Sequence, residues 1–416
     1  MDTFTAISDP TRRQIIELLA EKDRLSATDI CNYFTVSPQA ISQHLKVLRE
    51  ADVVTVEKKA QQRIYRLNGH AISEVEEWAA RVRIPDRKRP GKLLGGADIT
   101  RITGVESKCW EPERFGDMAP VVEATKLAMA RAGAQPEDID LVILLTATPF
   151  SPQLSADGFE LMRLLGLRDD VPPIQLHAGC AAMARAMQLI SATGAARPLI
   201  IAYEVSSPYM ESRVYFDNAV HPRKDTLWMS PALFSDGAGA MVLRRDGAAR
   251  GLVVYSRDAH SFGDEPGFSD PLIDYAGGGA RRAPGLPEAE AYSVYAMNGE
   301  ATRRYYAKGM MLNHRALDAA APGYLQAVQR VYMHQASPKL VAQVREVLMN
   351  EAGAREEQLP HHSHRLGNLV APATLKLLDD DVTAGKIGGG AQLCFSVVGA
   401  GPERGGFLIS MAGARS

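Results

Sequence analysis

The chain has 416 residues, of which 46% are hydrophobic and 23% are charged, and its formal net charge is −2. This is the composition of an ordinary globular protein, and the length allows two or three domains with cores of their own. A net charge so close to zero excludes attraction of the whole chain to nucleic acid or to a membrane surface, so any such binding must come from a local patch.

The cysteines and the N-terminus indicate where the protein works. Cys31, Cys109, Cys180 and Cys394 are widely spaced and include no CxxC pair, which is typical of reduced thiols rather than of a disulfide framework. The N-terminus has no basic segment followed by an apolar stretch, and runs such as 141–145 have only the length of a buried strand. The sequence therefore predicts a cytoplasmic protein without a signal peptide or membrane span.

The first 70 residues contain three short helical patterns and then a β-hairpin. The helical patterns cover residues 9–20, 26–34 and 37–50, and the two strand patterns cover residues 53–59 and 63–67. The first and third helices each begin with a capping residue followed by proline, which is a helix-start signal.

Three phrases in this region, ISDPTRRQIIELL, VSPQAISQHLKVLREADVV and RIYRL, resemble the ArsR-type winged helix-turn-helix family over residues 1–83. The resemblance implies a dimeric binder of double-stranded DNA, with residues 37–49 in the major groove and residues 58–66 as the wing. Two alternatives stay open: the polar residues form only a solvated helix face, or the domain serves only dimer contacts or partner docking. The residues expected to contact DNA are Ser37, Gln39, Ser42, Gln43, His44, Lys46, Lys58, Lys59 and Arg63.

Metal binding is not expected. Many ArsR-type proteins sense metals through paired cysteines, whereas Cys31 stands alone and is more typical of a small core residue. His361, His362 and His364 form a second cluster, which we interpret as part of a polar surface loop.

Residues 84–97 are basic and bounded by proline, and they are predicted to be a linker. From residue 98 to residue 416, amphipathic helices such as 121–133 alternate with apolar strands such as 139–148 and 198–203. Buried apolar strands between helices indicate an α/β domain with a largely parallel sheet.

One thiol in this domain stands at a junction between a strand and a helix. Cys180 follows the strand-like segment 173–177 and precedes the Ala-rich helix 181–190, a position in which the helix dipole is expected to favour the thiolate. His334 and Asn368 lie far downstream in similar settings. A cysteine with a distant histidine and asparagine is a candidate thiol nucleophile with acid/base and oxyanion partners.

Further phrases occur in a fixed order around these residues, at 234–243, 297–299, 333–337, 365–368 and 399–401. Together they resemble ketoacyl-ACP synthase III and its relatives in the thiolase superfamily, over residues 100–413. The resemblance implies a thiolase-like five-layer αβαβα fold, a homodimer, and acyl thioester substrates on carrier-protein phosphopantetheine or coenzyme A, with no separate cofactor. It implies catalytic Cys180, His334 and Asn368, oxyanion donors in the backbone of Cys180, Gly399, Ala400 and Gly401, and carrier-protein docking by Arg303, Arg304 and Lys308.

The chain departs from this family at its start. Asp98 and Ile102 stand where a Trp and an Arg that clasp coenzyme A are expected, and the opening strand is missing. A carrier protein is therefore favoured over coenzyme A as the acyl donor. Residues 258–290, rich in Gly, Pro and Asp, are predicted to lie over the acyl pocket.

The function predicted from these features is that of an acyltransferase of the β-ketoacyl synthase type, with a fused DNA-binding domain. Cys180 would take an acyl group from a thioester, and the acyl group would then condense with a malonyl-type thioester. One alternative is a transcription regulator that senses an acyl thioester through a synthase-like domain. Another is acyl transfer to an alcohol or amine without condensation.

Overall fold

The structure is a computed structural model that describes residues 6–7, 9–59, 62–69, 84–85, 93–211, 213–245, 252–286 and 288–412. The chain forms two compact units, Met1–Pro85 and Asp86–Ser416. The division between them falls inside the predicted linker, residues 84–97.

The first unit is a small helical domain with an antiparallel three-stranded sheet, in the order β1-β3-β2. Residues of all three helices and of the hairpin meet in one core that includes Ile15, Ile30, Leu45 and Tyr65. The predicted helix-turn-helix and hairpin are both present. The elements are α1 (Pro10–Lys22), β1 (Arg24–Ser26), α2 (Ala27–Cys31), α3 (Pro38–Glu50), β2 (Val54–Lys59) and β3 (Gln62–Leu67).

Side-chain caps start these helices where the sequence places them. The carboxylate of Asp9 accepts the backbone N–H of Arg12 at 3.0 Å, and the hydroxyl of Ser37 accepts that of Ala40 at 3.3 Å. Each cap satisfies a donor that the first helical turn leaves without a partner, so the local sequence fixes where α1 and α3 begin.

The second unit contains two four-stranded sheets among its described residues. In the first sheet, with strand order β7-β6-β8-β9, β6 runs parallel to β7 and β8, and β9 is antiparallel to β8. In the second sheet, with order β10-β17-β16-β15, only β15 and β16 are parallel. The strands are β4 (Ile84–Pro85, which closes the first unit), β5 (Leu93–Leu94), β6 (Leu141–Thr146), β7 (Pro173–His177), β8 (Pro198–Glu204), β9 (Gly237–Val242), β10 (Val253–Arg257), β11 (Ser261–Phe262), β12 (Glu265–Pro266), β13 (Ile273–Asp274), β14 (Ala296–Met297), β15 (Arg330–Met333), β16 (Gln392–Gly399) and β17 (Glu403–Ser410).

The helices of this unit alternate with the strands, as the sequence predicts. The helix predicted at 121–133 spans Ala119–Ala132, and Gly133 ends it with a φ of 58°. The helices are α4 (Gly96–Thr103), α5 (Ala119–Ala132), α6 (Ala156–Leu165), α7 (Ala182–Ala192), α8 (Ser206–Met210), α9 (Val214–Asp217), α10 (Met229–Leu233), α11 (Ala289–Tyr292), α12 (Gly299–Ala320), α13 (Tyr324–Ala327), α14 (Pro338–Ala352), α15 (Ser363–Leu366) and α16 (Pro372–Thr383).

These elements stack in five layers. Helices α7 and α16 each pack against strands of both sheets and lie between them, in a core that joins Ile143, Met183 and Phe395. Helices α5 and α6 cover the outer face of the first sheet, and α12 and α14 cover that of the second. The αβαβα arrangement predicted from the resemblance is therefore present.

The four strands of the first sheet all follow α5 in the chain. The described residues that precede α5 include the two-residue β5 and helix α4, but no strand that joins this sheet. Within the described ranges, no helix is both long and apolar enough to cross a membrane.

Candidate functional site

A single cavity of about 220 Å³ brings together the three residues predicted to be catalytic, Cys180, His334 and Asn368. They come from different elements: the turn between β7 and α7, the end of β15, and the loop between α15 and α16. The remaining lining is mainly apolar, and includes Met229, Leu233, Leu272, Ile273, Met297, Leu340 and Val398. Leu272 and Ile273 belong to the segment 258–290, which therefore contributes to the pocket as expected.

Cys180 sits in a turn that the end of β16 covers closely. A Cβ atom on Gly399 would lie 2.7 Å from the Cβ of Ala181 and 2.8 Å from its backbone nitrogen, so only glycine fits there. Gly399 and Ala400 line the cavity beside the thiol. Gly401, the third predicted oxyanion residue of this loop, is not part of the lining, and a Cβ added to it would have its nearest neighbour 4.0 Å away.

The helix dipole does not control the pKa of the Cys180 thiol, because burial outweighs it. Burial raises the pKa of Cys180 well above the range of an ordinary thiol, and the carboxyl groups of Glu204 and Glu403 raise it further, while the backbone N–H of Cys180 opposes the rise. A helix N-terminus contributes about 0.3–1 kcal/mol and at most about 2 kcal/mol, which is less than the cost of placing an anion in an apolar cavity. The resting thiol is protonated.

His334 is held by its backbone, and its ring is neutral. Its N–H donates to the carbonyl of Ser396 at 3.0 Å, and its own carbonyl accepts the hydroxyl of Tyr306. Burial lowers the pKa of His334 to about 3. Nδ1 is buried and has no hydrogen-bond partner among the described residues, so Nε2 is the ring nitrogen left to act on a molecule in the cavity.

Asn368 is fixed by hydrogen bonds that leave its amide nitrogen available. Its backbone forms a bridge with Phe234, because its N–H donates to Leu233 at 2.8 Å and its carbonyl accepts the N–H of Ser235 at 3.0 Å. The side-chain Oδ1 accepts the backbone N–H of Val370 at 2.9 Å. Nδ2 is therefore the atom that can donate into the cavity.

The loop around Asn368 is strained where it meets the cysteine turn. Val370 has a φ of 56°, which is costly for a β-branched residue, and its Cγ1 would lie 3.3 Å from a Cβ on Gly179. Gly367 has a φ of 68°, and a Cβ there would lie 2.3 Å from the hydroxyl of Ser235. The Asn368 loop is thus pressed against the turn that carries Cys180.

The three basic residues predicted for carrier-protein docking have different surroundings. Arg303 is exposed and lines the cavity. Arg304 is paired with Glu265 at 3.7 Å, and Lys308 is paired with the same carboxylate at 2.8 Å and with Asp264 at 2.6 Å. Only Arg303 combines exposure with a place at the pocket.

Other lining residues were not singled out from the sequence. Lys339 and Ser337, at the start of α14, line the cavity on the same side as Arg303, and Tyr306 forms part of its wall. The sequence could have indicated Ser337 and Lys339, because Ser337-Pro338 is a helix-start pattern three residues after His334. Ile102 also lines the cavity, at the position where the resemblance leads one to expect an arginine.

The residues predicted to contact DNA lie on α3 and on the β2–β3 hairpin of the first unit. Gln39, Ser42, Gln43, Lys46, Lys58, Lys59 and Arg63 are exposed. Ser37 is exposed but its hydroxyl caps α3. His44 is partly buried, and its Nδ1 lies 3.8 Å from Asp9, so it is the least available of the set.

The described residues hold no group of three or more His, Cys, Asp or Glu side chains that could bind a metal ion. Cys31 is a half-buried free thiol. The ring centroids of His361 and His364 lie 5.2 Å apart and the rings are tilted by 54°, but His362 is buried rather than on a surface loop. The interpretation of this cluster as a surface loop is therefore wrong for His362, because its side chain packs into the interior before α15.

Comparison with known proteins assigns each unit to a class. Residues 9–56 match the bacterial regulatory protein arsR family, and residues 320–411 match the 3-oxoacyl-[acyl-carrier-protein] synthase III C-terminal family. The chain is 40% identical to the transcriptional repressor SdpR of Bacillus subtilis over 77 residues, which are 18% of this chain and 84% of that protein. It is 24% identical to the β-ketoacyl-[acyl-carrier-protein] synthase III of Coxiella burnetii over 339 residues, 77% of this chain and 96% of that protein.

Solved structures give the same result for the second unit. A crystal structure of 3-oxoacyl-(acyl-carrier-protein) synthase III superposes with a TM-score of 0.61 at 19% identity, over 76% of this chain and 91% of that one. The fold is thiolase-like. The first unit belongs to the arsR family of bacterial regulatory proteins, and it is fused to a domain that resembles 3-oxoacyl-ACP synthase III.

Proposed function

We propose that the second unit is an acyltransferase of the β-ketoacyl synthase type, which forms an acyl-Cys180 intermediate and condenses it with a malonyl-type thioester. The observation that carries this proposal is the convergence of Cys180, His334 and Asn368 on one apolar cavity, under a loop whose glycine approaches the cysteine turn closely.

In the first half-reaction, the sulfur of Cys180 attacks the carbonyl carbon of an acyl thioester. The new C–S bond forms as the carbonyl becomes an oxyanion, which the backbone N–H groups of Cys180 and of the Gly399–Ala400 turn would stabilise. The carrier thiol then leaves with the proton that Cys180 gives up. Because the resting thiol is protonated, its proton leaves the sulfur as the C–S bond forms and is taken up by the departing carrier sulfur.

In the second half-reaction, a malonyl-type thioester loses CO₂ and its Cα–C electron pair becomes an enolate. Nε2 of His334 and Nδ2 of Asn368 act as two neutral donors for the enolate oxygen. The enolate carbon attacks the acyl carbon on Cys180, a C–C bond forms, and the Cys180 thiolate leaves. A neutral imidazole suits this step, because an imidazolium would protonate the enolate before it reacted.

The acyl donor is proposed to be a carrier-protein thioester. Ile102 offers no charge for the phosphates of coenzyme A where it lines the cavity, whereas Arg303 and Lys339 carry positive charge on the same lining. These two cations suit the single phosphate of a phosphopantetheine arm on an acidic carrier.

We infer that the first unit binds double-stranded DNA. Its exposed polar helix α3 and the basic residues Lys58, Lys59 and Arg63 of the hairpin support this inference. A protein that binds DNA and uses carrier thioesters would act in the cytoplasm. A homodimer is also proposed, because β7 lies at the edge of its sheet and Leu154 beside it is 89% exposed in a left-handed backbone conformation.

Intact-protein mass spectrometry tests the enzymatic proposal. The protein is mixed with a panel of acyl thioesters and then with malonyl-carrier protein, and C180A is compared with C109A, a thiol outside the cavity. Acylation that needs Cys180 and disappears with formation of a ketoacyl product supports condensation. Acylation that moves to an added alcohol or amine identifies simple acyl transfer, and DNA affinity that changes with acyl ligand without turnover identifies the sensor.

A further inference from the structure

Two consecutive tyrosines on α12, Tyr305 and Tyr306, form one wall of the cavity, and their hydroxyl groups point to different partners. They are 1% and 2% exposed. The hydroxyl of Tyr305 donates to the carboxylate of Asp258 at 2.8 Å, away from the catalytic residues. The hydroxyl of Tyr306 donates to the backbone carbonyl of His334.

The His334 ring has no hydrogen bond that orients it within the described chain. Acid/base histidines commonly donate one ring N–H to a carboxylate or carbonyl that selects the ring orientation. Nδ1 of His334 is buried and has no such partner among the described residues. The ring instead meets the edge of Tyr306, with centroids 6.1 Å apart and an interplanar angle of 61°. The position of the imidazole therefore depends on the backbone and on this packing contact.

Tyr306 and Gln335 hold the turn that carries His334. The hydroxyl of Tyr306 donates to the carbonyl of His334. The next residue, Gln335, has other partners: its Nε2 donates to the carbonyl of Met333 at 2.9 Å, and its Oε1 accepts the N–H of His362 at 3.2 Å. The turn is thus tied to α12 by Tyr306 and to the Asn368 side of the site by Gln335.

We propose that Tyr306 is a positioning residue that fixes the orientation of the His334 imidazole, so that Nε2 points into the cavity beside Cys180. The catalytic consequence rests on the proposed function, whereas the effect on the ring does not. Tyr306 does not itself transfer a proton, because burial raises its pKa far above the working range. The phenol stays protonated and keeps its bond to the carbonyl.

Y306F tests the proposal because it removes the hydroxyl and keeps the ring. Y324F is the matched control: Tyr324 is also buried, its hydroxyl contacts His314 at 3.0 Å, and it lies outside the cavity lining. In Y306F we expect acylation of Cys180 to stay within about threefold of wild type, while CO₂ release from malonyl-carrier protein falls about tenfold through kcat. An equal loss in both half-reactions, or the same loss in Y324F, overturns the positioning role.

A second measurement does not depend on activity. The histidines are labelled with ¹³C at Cε1, the His334 signal is assigned by its loss in H334A, and its shift and width are compared in wild type, Y306F and Y324F. We expect one sharp signal in wild type and Y324F, and a shifted or broadened signal in Y306F. An unchanged signal in Y306F overturns the inference even if the protein proves to have no condensing activity, while absence of acylation in wild type overturns only the proposed function.

Discussion

Replacing Gly399 with alanine tests the close contact between the end of β16 and the cysteine turn. The added Cβ would lie 2.8 Å from the backbone nitrogen of Ala181 and 2.7 Å from its Cβ. Ordinary contact begins near 3.4 Å, so the loop or the turn has to move by roughly 0.6 Å, the difference between 3.4 and 2.8 Å. Backbone atoms face the new methyl group, so no flexible side chain can give way.

The displacement falls on the groups proposed to stabilise the oxyanion. Loss of one such donor lowers kcat by a factor on the order of 10²–10³, and a displacement of this size is expected to cause a large part of that loss. We expect G399A to acylate Cys180 about 100-fold more slowly than wild type, with overpacking that lowers the unfolding free energy by about 1–3 kcal/mol. The rate is measured by intact-protein mass spectrometry with one acyl thioester, and stability by thermal unfolding.

G401A is the matched control, because a Cβ at Gly401 has its nearest neighbour at 4.0 Å and the residue is outside the cavity lining. We expect it to acylate at a rate within about twofold of wild type, since no atom has to move. Wild-type acylation by G399A would refute the argument that this contact positions the donors. Equal losses in both variants would show that the loop acts through general flexibility instead.

Three further predictions concern protonation and charge. Because burial raises the pKa of Cys180, iodoacetamide should label Cys180 slowly at neutral pH, before any acyl donor is added, and faster as the pH rises. Fast, pH-independent labelling of Cys180 near neutrality would contradict a protonated resting thiol. Burial lowers the pKa of Lys108 to about 7 from 10.5. Between these pH values the unfolded chain binds more protons than the folded chain, so the unfolding free energy should rise with pH across that window. In K108M this contribution to the pH dependence should disappear, and chemical denaturation that gives the same pH dependence for K108M and wild type would exclude the lowered pKa. If Lys58 and Lys59 contact phosphates, replacing both with alanine should weaken binding to all duplexes and reduce the salt dependence of log K by about one per lost contact, whereas an unchanged slope would remove the hairpin from the interface.

The sequence was sufficient to predict which three residues meet in the cavity, Cys180, His334 and Asn368, because each lies in a short local pattern. Cys180 stands between a strand and an Ala-rich helix, and Asn368 follows a glycine that a left-handed turn requires. Such patterns are set by backbone geometry within a few residues. The alternation of buried strands and amphipathic helices along the chain predicted an α/β domain, whereas the five layers were expected only from the resemblance to ketoacyl-ACP synthase III.

Charge states and ion pairs could not be predicted, because they depend on residues distant in the sequence. The sequence shows that Cys180 precedes a helix, but the apolar cavity and the buried carboxyls of Glu204 and Glu403 are tertiary features. Lys308 was predicted to meet a carrier protein, yet Asp264 and Glu265, about 40 residues earlier in the chain, pair with it. Tyr306 was overlooked for the same reason, since only folding brings its hydroxyl to His334.

The charge pattern of the site suits a reaction that passes through an enolate. Burial raises the pKa of the Cys180 thiol and also raises that of the Glu204 carboxyl to about 8, so little negative charge is stable there at rest. His334 is neutral because no carboxylate contacts it and burial disfavours its cation. In the proposed mechanism, an anion at this site is stabilised by oriented N–H groups, those of the backbone for the acyl oxyanion and those of His334 and Asn368 for the enolate. Such donors work only if they are held in place before the anion forms, which is why the close contact at Gly399 and the tyrosine contact to the His334 carbonyl should matter more to the rate than to the fold.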